Sequence, residues 1–137
     1  ATTRALLLLA VAAVAAFYRG YRMVPPGLWG DDAINGLLAY DVLDGKITSP
    51  FQLVSHSASR FHALSNYLIA ASFAAFGPDL STLRLPGVVL NFLCVLLVYG
   101  TFAPLFRARA ALIAALLFAI SPQQLSYAKI LIQVGAG

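Results

Sequence analysis

The most restrictive feature of the sequence is the run Pro86 to Phe106, which contains no charged side chain. A helix of roughly 20 apolar residues is long enough to span the hydrocarbon layer of a bilayer. Hydrophobic residues make up 61% of the 137 positions and charged residues only 10%, against roughly 25% charged in a soluble domain. So little polar surface could not cover a water-exposed globule. The composition therefore predicts an all-α, polytopic helical bundle in the cell membrane.

Other apolar runs extend this prediction to a multi-pass chain. Together with the first run they place the predicted spans at about 5–21, 86–106 and 108–121. Val14 to Ala16 also resembles a signal-peptide cleavage site, but the apolar helices that follow favour a span. The apolar run 61–76 is shorter and contains polar side chains, so we expect a marginal or re-entrant helix there.

The positions of the arginines predict which loops share a side of the membrane. Basic residues are enriched in cytoplasmic loops, which favours a cytoplasmic location for Arg4 and for the tight loop at 107–109. Both can be cytoplasmic only if residues 61–76 do not cross. The loop 22–60 and the segment 123–129 then lie on the same outer face. This arrangement is favoured over a four-crossing alternative, which would place them on opposite faces.

The outer loop carries a helix of its own. Pro25 to Gly27 stops any preceding helix, and the pair Asp31-Asp32 opens a helical stretch over 32–44 that ends before Gly45. The apolar residues at helical spacing within it are Ile34, Leu37, Leu38 and Val42. They predict an amphipathic juxtamembrane helix that lies along the bilayer surface. Asp41 falls on the same face, either as a snorkelling acid or as a third acid of a site.

Charge and cysteine content exclude several classes of function. The net charge is +4, but the basic residues are dispersed and form no patch interleaved with aromatics, so no nucleic-acid partner is expected. A single cysteine excludes disulfide and cysteine-metal frameworks within the chain. The sequence opens at Ala1 without a methionine and stops at Gly137 without a closing helix. We therefore expect residues 1–137 to be the N-terminal part of a longer transmembrane domain.

Asp31 and Asp32 are the strongest candidates for chemistry. One interpretation is structural, because Asp is a favoured N-cap and the helix dipole stabilises acids in the first turn. A carboxylate at the boundary between water and lipid can also act as a general base toward an incoming hydroxyl. A third interpretation is a divalent-cation site, for which two side chains alone make an incomplete shell. The residues themselves leave these alternatives open.

Several stretches, taken in order, resemble the GT-C membrane glycosyltransferases, and in particular the protein O-mannosyltransferase and aminoarabinose-transferase-like superfamily. The stretches that carry the resemblance are Pro25 to Ala33, Ala75 to Gly77, Leu83 to Pro86, Leu97 to Tyr99, Leu105 to Arg107, Ala119 to Pro122 and Tyr127 to Lys129. The resemblance implies an enzyme that transfers a sugar, with inversion, from a polyprenyl-phosphate donor to a glycan, lipid or protein acceptor on the outer face. It implies no cofactor, although a divalent metal is possible.

The resemblance also implies roles for individual residues. Asp31 matches the general base, and Asp32 matches the second acid of the pair. The departing lipid phosphate requires cations, for which Arg60 and Lys129 are the candidates. Lys129 stands where the family usually has Arg, and a lysine cannot form the bidentate phosphate contact of an arginine. The remaining candidates for substrate binding are Tyr127, which could hydrogen-bond the acceptor, and His62.

Two further expectations complete the sequence-based interpretation. Arg84 precedes the Pro86 span and is expected to anchor that helix at the membrane surface, with contact to a lipid phosphate as the alternative. The alternative function is a non-catalytic membrane scaffold or transporter subunit with the same architecture. A transporter requires ionisable residues at mid-membrane depth, and the clear spans carry none, so a scaffold is the stronger alternative. Residues 1–137 alone are expected to be inactive, because part of the expected cavity lies elsewhere.

Overall fold

The computed structural model describes residues 2–20, 30–56 and 59–122. The helices in these ranges are α1 (Thr2–Gly20), α2 (Gly30–Leu43), α3 (Leu64–Phe76), α4 (Leu80–Leu105) and α5 (Ala108–Ile120), and the strands are β1 (Leu53–His56) and β2 (Ser59–His62). The chain forms two compact units. The first unit contains α1, α5 and α4 from Gly87 onward, and the second contains α2, both strands, α3 and α4 up to Pro86.

Two helices in the described part of the chain are long and apolar enough to cross a membrane, over Thr3–Gly20 and Leu80–Leu105. They lie where the spans 5–21 and 86–106 were predicted. The helices α3 and α5 each have 13 residues, which is shorter than a complete span requires. The helical class is therefore confirmed for most described residues. The third crossing, the re-entrant course of α3 and the multi-pass bundle stay predictions.

The first unit is held together by close packing of α1 against α5, and α4 contributes Val95 to their shared core. Its buried core residues are Val11, Ala15, Val95, Leu112, Ala115 and Ala119. Alanines at this contact let the helix backbones approach closely, which is the usual way in which helices associate in lipid. The N-terminal ends of α1 and α5 line one cavity, and Arg19 near the end of α1 bonds to Ala119 near the end of α5. These two helices therefore run parallel.

In the second unit, α2 packs against α3, and the helical stretch predicted over 32–44 lies within one residue or two of α2. The prediction of its apolar face is wrong at one position. Leu38 is buried with Ile34 and Val42 packed beside it, whereas Leu37 is 63% exposed. Ala39 takes the buried position instead, because the contact between α2 and α3 is close and only a small side chain fits there.

A β-hairpin in the second unit contradicts the all-α prediction. The strands β1 and β2 are antiparallel, with Leu53 opposite His62 and His56 opposite Ser59, and the helix that was predicted to begin at 61 begins at Leu64. The physical reason on β1 is burial of Val54. Val54 is buried in a cluster with Ala63, while the two backbones satisfy one another's hydrogen bonds.

The start of α4 also differs from the prediction, because a cap precedes the proline. The backbone N–H of Ser81 donates to Asp79 Oδ2 at 3.0 Å, and the backbone N–H of Asp79 donates to Thr82 Oγ1 at 2.9 Å. These reciprocal bonds are those of a capping box, and they start the helix at Leu80 rather than at Pro86. Pro86 lies inside α4, at the boundary between the two units.

Candidate active site

The candidate site is built on the first turn of α2. This helix begins at Gly30, so Asp31 and Asp32 are its second and third residues. Both positions lie at the positive end of the helix dipole, where a carboxylate is stabilised. The rest of α2 is fixed by its packing against α3, through the buried residues Ala39, Ala70 and Phe73. The aspartate pair is therefore carried by a packed helix rather than by a loose loop.

Asp32 forms a buried ion pair with Arg84 of α4. The Nη2 atom of Arg84 donates to Asp32 Oδ2 at 2.6 Å, and each residue is only 2% exposed. The prediction that Arg84 anchors α4 at the membrane surface is therefore wrong. A guanidinium buried in apolar surroundings is costly unless an opposite charge compensates it, and Asp32 supplies that charge. The pair joins the start of α2 to the first part of α4.

A glycine of α2 lies against a side chain of α4 next to this ion pair. A Cβ atom on Gly36 would lie 3.1 Å from the Cδ1 atom of Leu83, which is tighter than ordinary van der Waals contact. Leu83 immediately precedes Arg84 in α4. The absence of a side chain at Gly36 therefore leaves room for the Leu83 side chain beside the ion pair.

The other predicted site residues are not brought together by what the structure describes. Of Asp31, Arg60 and His62 it describes the backbone: Asp31 lies in α2, and the other two lie in β2. In the hairpin, Arg60 is paired with Ser55. Tyr127 and Lys129 lie outside the described residues. The roles assigned to these five residues stay predictions.

Asp41 has a partner at the other end of α2. Its Oδ1 atom lies 2.7 Å from Nζ of Lys46, which also lies 3.1 Å from Oδ2 of Asp44. These contacts, that with Asp41 foremost, raise the pKa of the exposed Lys46 ammonium. Asp41 thus belongs to a solvated cluster at the end of α2, more than two turns after Asp32. Neither proposed role, that of a lipid-snorkelling acid or that of a site acid, describes this arrangement.

Arg19 is a buried arginine whose role was not predicted from the sequence. It lies in the first unit and is fully buried. Its Nε atom donates to Asn91 Oδ1 at 2.8 Å, and its Nη1 atom donates to the carbonyl oxygens of Ala119 at 3.1 Å and Ala15 at 3.3 Å. Arginine at a helix C-terminus can satisfy carbonyls that have no partner within the helix. The position of Arg19, a basic residue in the last turn of an apolar helix, was the sequence feature that could have indicated this role.

The contacts of Arg19 define which helix ends meet in the first unit. Arg19 is close to the C-terminal end of α1, and Asn91 lies a few residues after Gly87, where α4 enters the unit. The chain between α1 and α4 therefore leaves and re-enters the first unit at the same end. Among the described residues, no group of three His, Cys, Asp or Glu side chains is placed to hold a metal ion.

The chain belongs to the dolichyl-phosphate-mannose-protein mannosyltransferase family, whose sequence model matches residues 63–133, just over half of the chain. This match confirms the resemblance to GT-C glycosyltransferases. Membership implies glycosyltransferase activity in a membrane-bound family. The matched range includes Arg84 and begins after the Asp31-Asp32 pair. Comparisons with curated proteins and with solved structures found no match.

Proposed function

We propose that this protein transfers a sugar from a polyprenyl-phosphate donor to an acceptor on the outer face of the membrane, with Asp31 as the general base. The carboxylate of Asp31 takes the proton of the acceptor hydroxyl while the hydroxyl oxygen attacks the anomeric carbon. The bond from that carbon to the lipid phosphate breaks on the opposite side, so the configuration inverts. The polyprenyl phosphate leaves with the bonding electron pair.

The Asp32–Arg84 ion pair is the observation that supports Asp31 as the base. Two adjacent carboxylates repel one another, and Arg84 compensates the charge of Asp32. Successive helix positions lie about 100° apart around the axis, so position 31 faces a different direction from position 32. Asp32 thus has a structural partner inside the second unit. We therefore assign the role of general base to Asp31.

Cations must stabilise the departing phosphate. We assign this role to Arg60 and Lys129, and binding of the donor or acceptor to His62 and Tyr127. Arg60 and His62 follow the aspartates within the second unit, on β2. Lys129 and Tyr127 follow α5, whose C-terminal end lies beside that of α1. Because α1 and α5 run parallel, we place the segments that follow them, 22–60 and 123–129, on one face of the membrane.

The decisive experiment is Asp31→Asn in the complete protein. Sugar transfer from a polyprenyl-phosphate-linked mannose donor is measured in membranes that contain the wild type or the variant at equal expression. We expect a loss of about a hundredfold to ten-thousandfold, the usual contribution of a general base. The matched control is Asp44→Asn, which removes an exposed acid of the same unit, paired with Lys46, and should leave transfer unchanged.

A membrane scaffold is the second candidate, because a buried ion pair such as Asp32–Arg84 would stabilise helix packing without any chemistry. The same experiment separates the two functions. A scaffold tolerates Asp31→Asn, since that change preserves size and leaves Arg84 paired. Transfer that survives Asp31→Asn at the wild-type rate would refute the assignment of the base.

A further inference from the structure

A second candidate site lies in the first unit, at the end of α1 opposite Arg19. A cavity of about 620 Å³ opens between the N-terminal ends of α1 and α5. Its charged lining is Arg4 from α1, Arg109 from α5, and Arg107 immediately before α5. Thr3 adds a hydroxyl, and Leu7 and Leu112 close the apolar side. Three arginine residues thus line one cavity.

The positive charge of this cavity has no counterpart in the unit. Residues 1–23 and 87–129 contain no Asp and no Glu. The first turns of α1 and α5 carry no acid, although a helix N-terminus favours negative charge. Arg107 occupies the N-cap position of α5, where its side chain accepts no hydrogen bond. An anion that compensates these arginines must therefore come from outside the first unit.

An apolar groove continues from the cavity along α1 and α5. Its volume is about 540 Å³, and it shares Leu7, Arg109 and Leu112 with the cavity. It extends from Leu7 as far as Val14 on α1 and reaches Leu116 on α5, which corresponds to roughly 10 Å along α1 at the rise of an α-helix. The arginines lie at one end of this groove. The site therefore combines a cationic end with an apolar groove along the helices.

We propose that the cavity and groove bind an anionic glycerophospholipid, with its phosphate among the three arginines and one acyl chain in the groove. Arginine forms paired hydrogen bonds to phosphate, and basic pockets between membrane helices recognise anionic headgroups. A free phosphate ion would leave the apolar groove unused, whereas a phospholipid fills both parts. The site lies at the opposite end of α1 from Arg19, and it is independent of the proposed sugar transfer.

The test measures lipid retained by the full chain. The protein is placed in nanodiscs of equal parts phosphatidylglycerol and phosphatidylcholine, extracted into detergent and examined by native mass spectrometry. We expect a retained phosphatidylglycerol. The affinity should fall about fivefold for Arg109→Gln and about twentyfold for Arg107→Gln with Arg109→Gln, since each basic residue near an anionic lipid contributes a comparable factor. Arg107→Lys with Arg109→Lys keeps the charge that determines topology and should show a smaller loss.

The groove is tested separately from the arginines. Ala10 lines the groove, so Ala10→Phe should block the acyl chain and abolish retention with all arginines present. Ala13→Phe is the matched control, because Ala13 is an exposed residue of α1 outside the lining. Should Ala10→Phe fail to fold, Leu116→Asn places a polar group in the same wall.

Three outcomes would overturn the proposal: equal retention of phosphatidylcholine, unchanged retention after both arginines are replaced by glutamine, or unchanged retention in a folded groove variant. Since lipid retention is measured without donor or acceptor, failure here leaves the role of Asp31 unaffected. Failure of the sugar-transfer test likewise leaves this site unaffected.

Discussion

In the part of the chain that the structure describes, each unit buries one arginine, but the two units compensate its charge in opposite ways. In the second unit, Arg84 faces the carboxylate of Asp32 at 2.6 Å. In the first unit, Arg19 donates to the amide of Asn91 and to backbone carbonyls. All five acids of the chain lie between residues 31 and 79, within the second unit. The first unit contains no Asp or Glu side chain. The dipoles of an amide and of backbone carbonyls therefore stabilise Arg19 instead.

This difference shows that a buried arginine has two kinds of role in an apolar helical protein. A buried guanidinium and its carboxylate partner depend on each other for stability, because removing either one leaves the other as an uncompensated buried charge. A guanidinium held by an amide and by carbonyls spreads its interaction over several acceptors, and each acceptor contributes a smaller share. The hydrogen bonds of Arg19 also persist at acid pH, since its amide and carbonyl acceptors do not titrate. The comparison yields three measurable differences.

The largest effect is expected at the ion pair of the second unit. Asp32→Asn leaves the Arg84 charge buried without its counter-ion, and Arg84→Met does the same to Asp32. Each single change should lower the free energy of unfolding by about 3–5 kcal/mol. The measurement is thermal or denaturant unfolding of the full chain in detergent, followed by circular dichroism.

The double variant, Asp32→Leu with Arg84→Met, provides the control for that prediction. Replacing a buried pair with apolar side chains is often neutral, so the double variant should recover most of the lost stability. Additive losses in the double variant would show that the two side chains do not act as a pair.

A smaller effect is expected at the acceptor of Arg19. Asn91→Ala removes the acceptor of the Nε bond and should lower the free energy of unfolding by about 1–3 kcal/mol. The loss should be the same at about pH 4 as at about pH 7, because the residues in contact with Arg19 do not titrate in that range. Unfolding in detergent at the two pH values gives the measurement.

Asn91→Asp converts the amide acceptor of Arg19 in the first unit into a charged acceptor like that of Arg84 in the second unit. It restores an acceptor and adds a carboxylate beside Arg19, so the stability should return at neutral pH. The restored stability should then decline as the pH falls toward the ordinary pKa of aspartate, about 3.9, and below it. A stability of Asn91→Asp that matches Asn91→Ala at neutral pH would contradict the role given to this acceptor.

The smallest effect concerns Asp79, the cap of the helix that carries Arg84. The hydrogen bond from the Ser81 backbone lowers the pKa of Asp79. A group whose pKa is lower in the folded state stabilises that state above its unfolded value, about 3.9, and loses this contribution as the pH falls through the folded value. The stability gap between the wild type and Asp79→Ala should therefore be widest near neutral pH and narrow below about pH 4.

Asp79→Asn is the control for the titration, since asparagine is also a favoured cap and does not ionise. Its gap to Asp79→Ala should be nearly independent of pH in the acid range. A gap between the wild type and Asp79→Ala that stays constant from neutral to acid pH would exclude the ionised cap as its source.

Much of the helical fold was predictable from residue type alone. Long uncharged runs predict membrane helices because their length matches the hydrocarbon layer of a bilayer. The helix at 30–43 follows from its proline stop and acidic start. The hairpin at 53–62 was not predicted. Short strands of four residues resemble polar loops in sequence, and only burial of Val54 against Ala63 distinguishes them. The proline at position 86 predicted a helix start there, whereas two cap hydrogen bonds at Asp79 start α4 at Leu80.

The candidate site was predictable only in part. Asp31 and Asp32 were identified as a pair, and Arg84 was identified as a charged residue beside a span. Their sequence separation gave no reason to join Asp32 to Arg84, because a membrane-surface position would satisfy an arginine equally well. The contact between Gly36 and Leu83 could not be predicted either, because the two residues are far apart in sequence.

Residue type and order are enough to identify an apolar, mainly helical chain of the mannosyltransferase family, because hydrophobicity and family motifs are local properties. Which charges meet depends on the folded arrangement of the helices. A buried charge is stable only with a compensating group within a few ångströms, and that group lies far away in sequence for Asp32 with Arg84 and for Arg19 with Asn91. Such pairings depend on which helix faces come together.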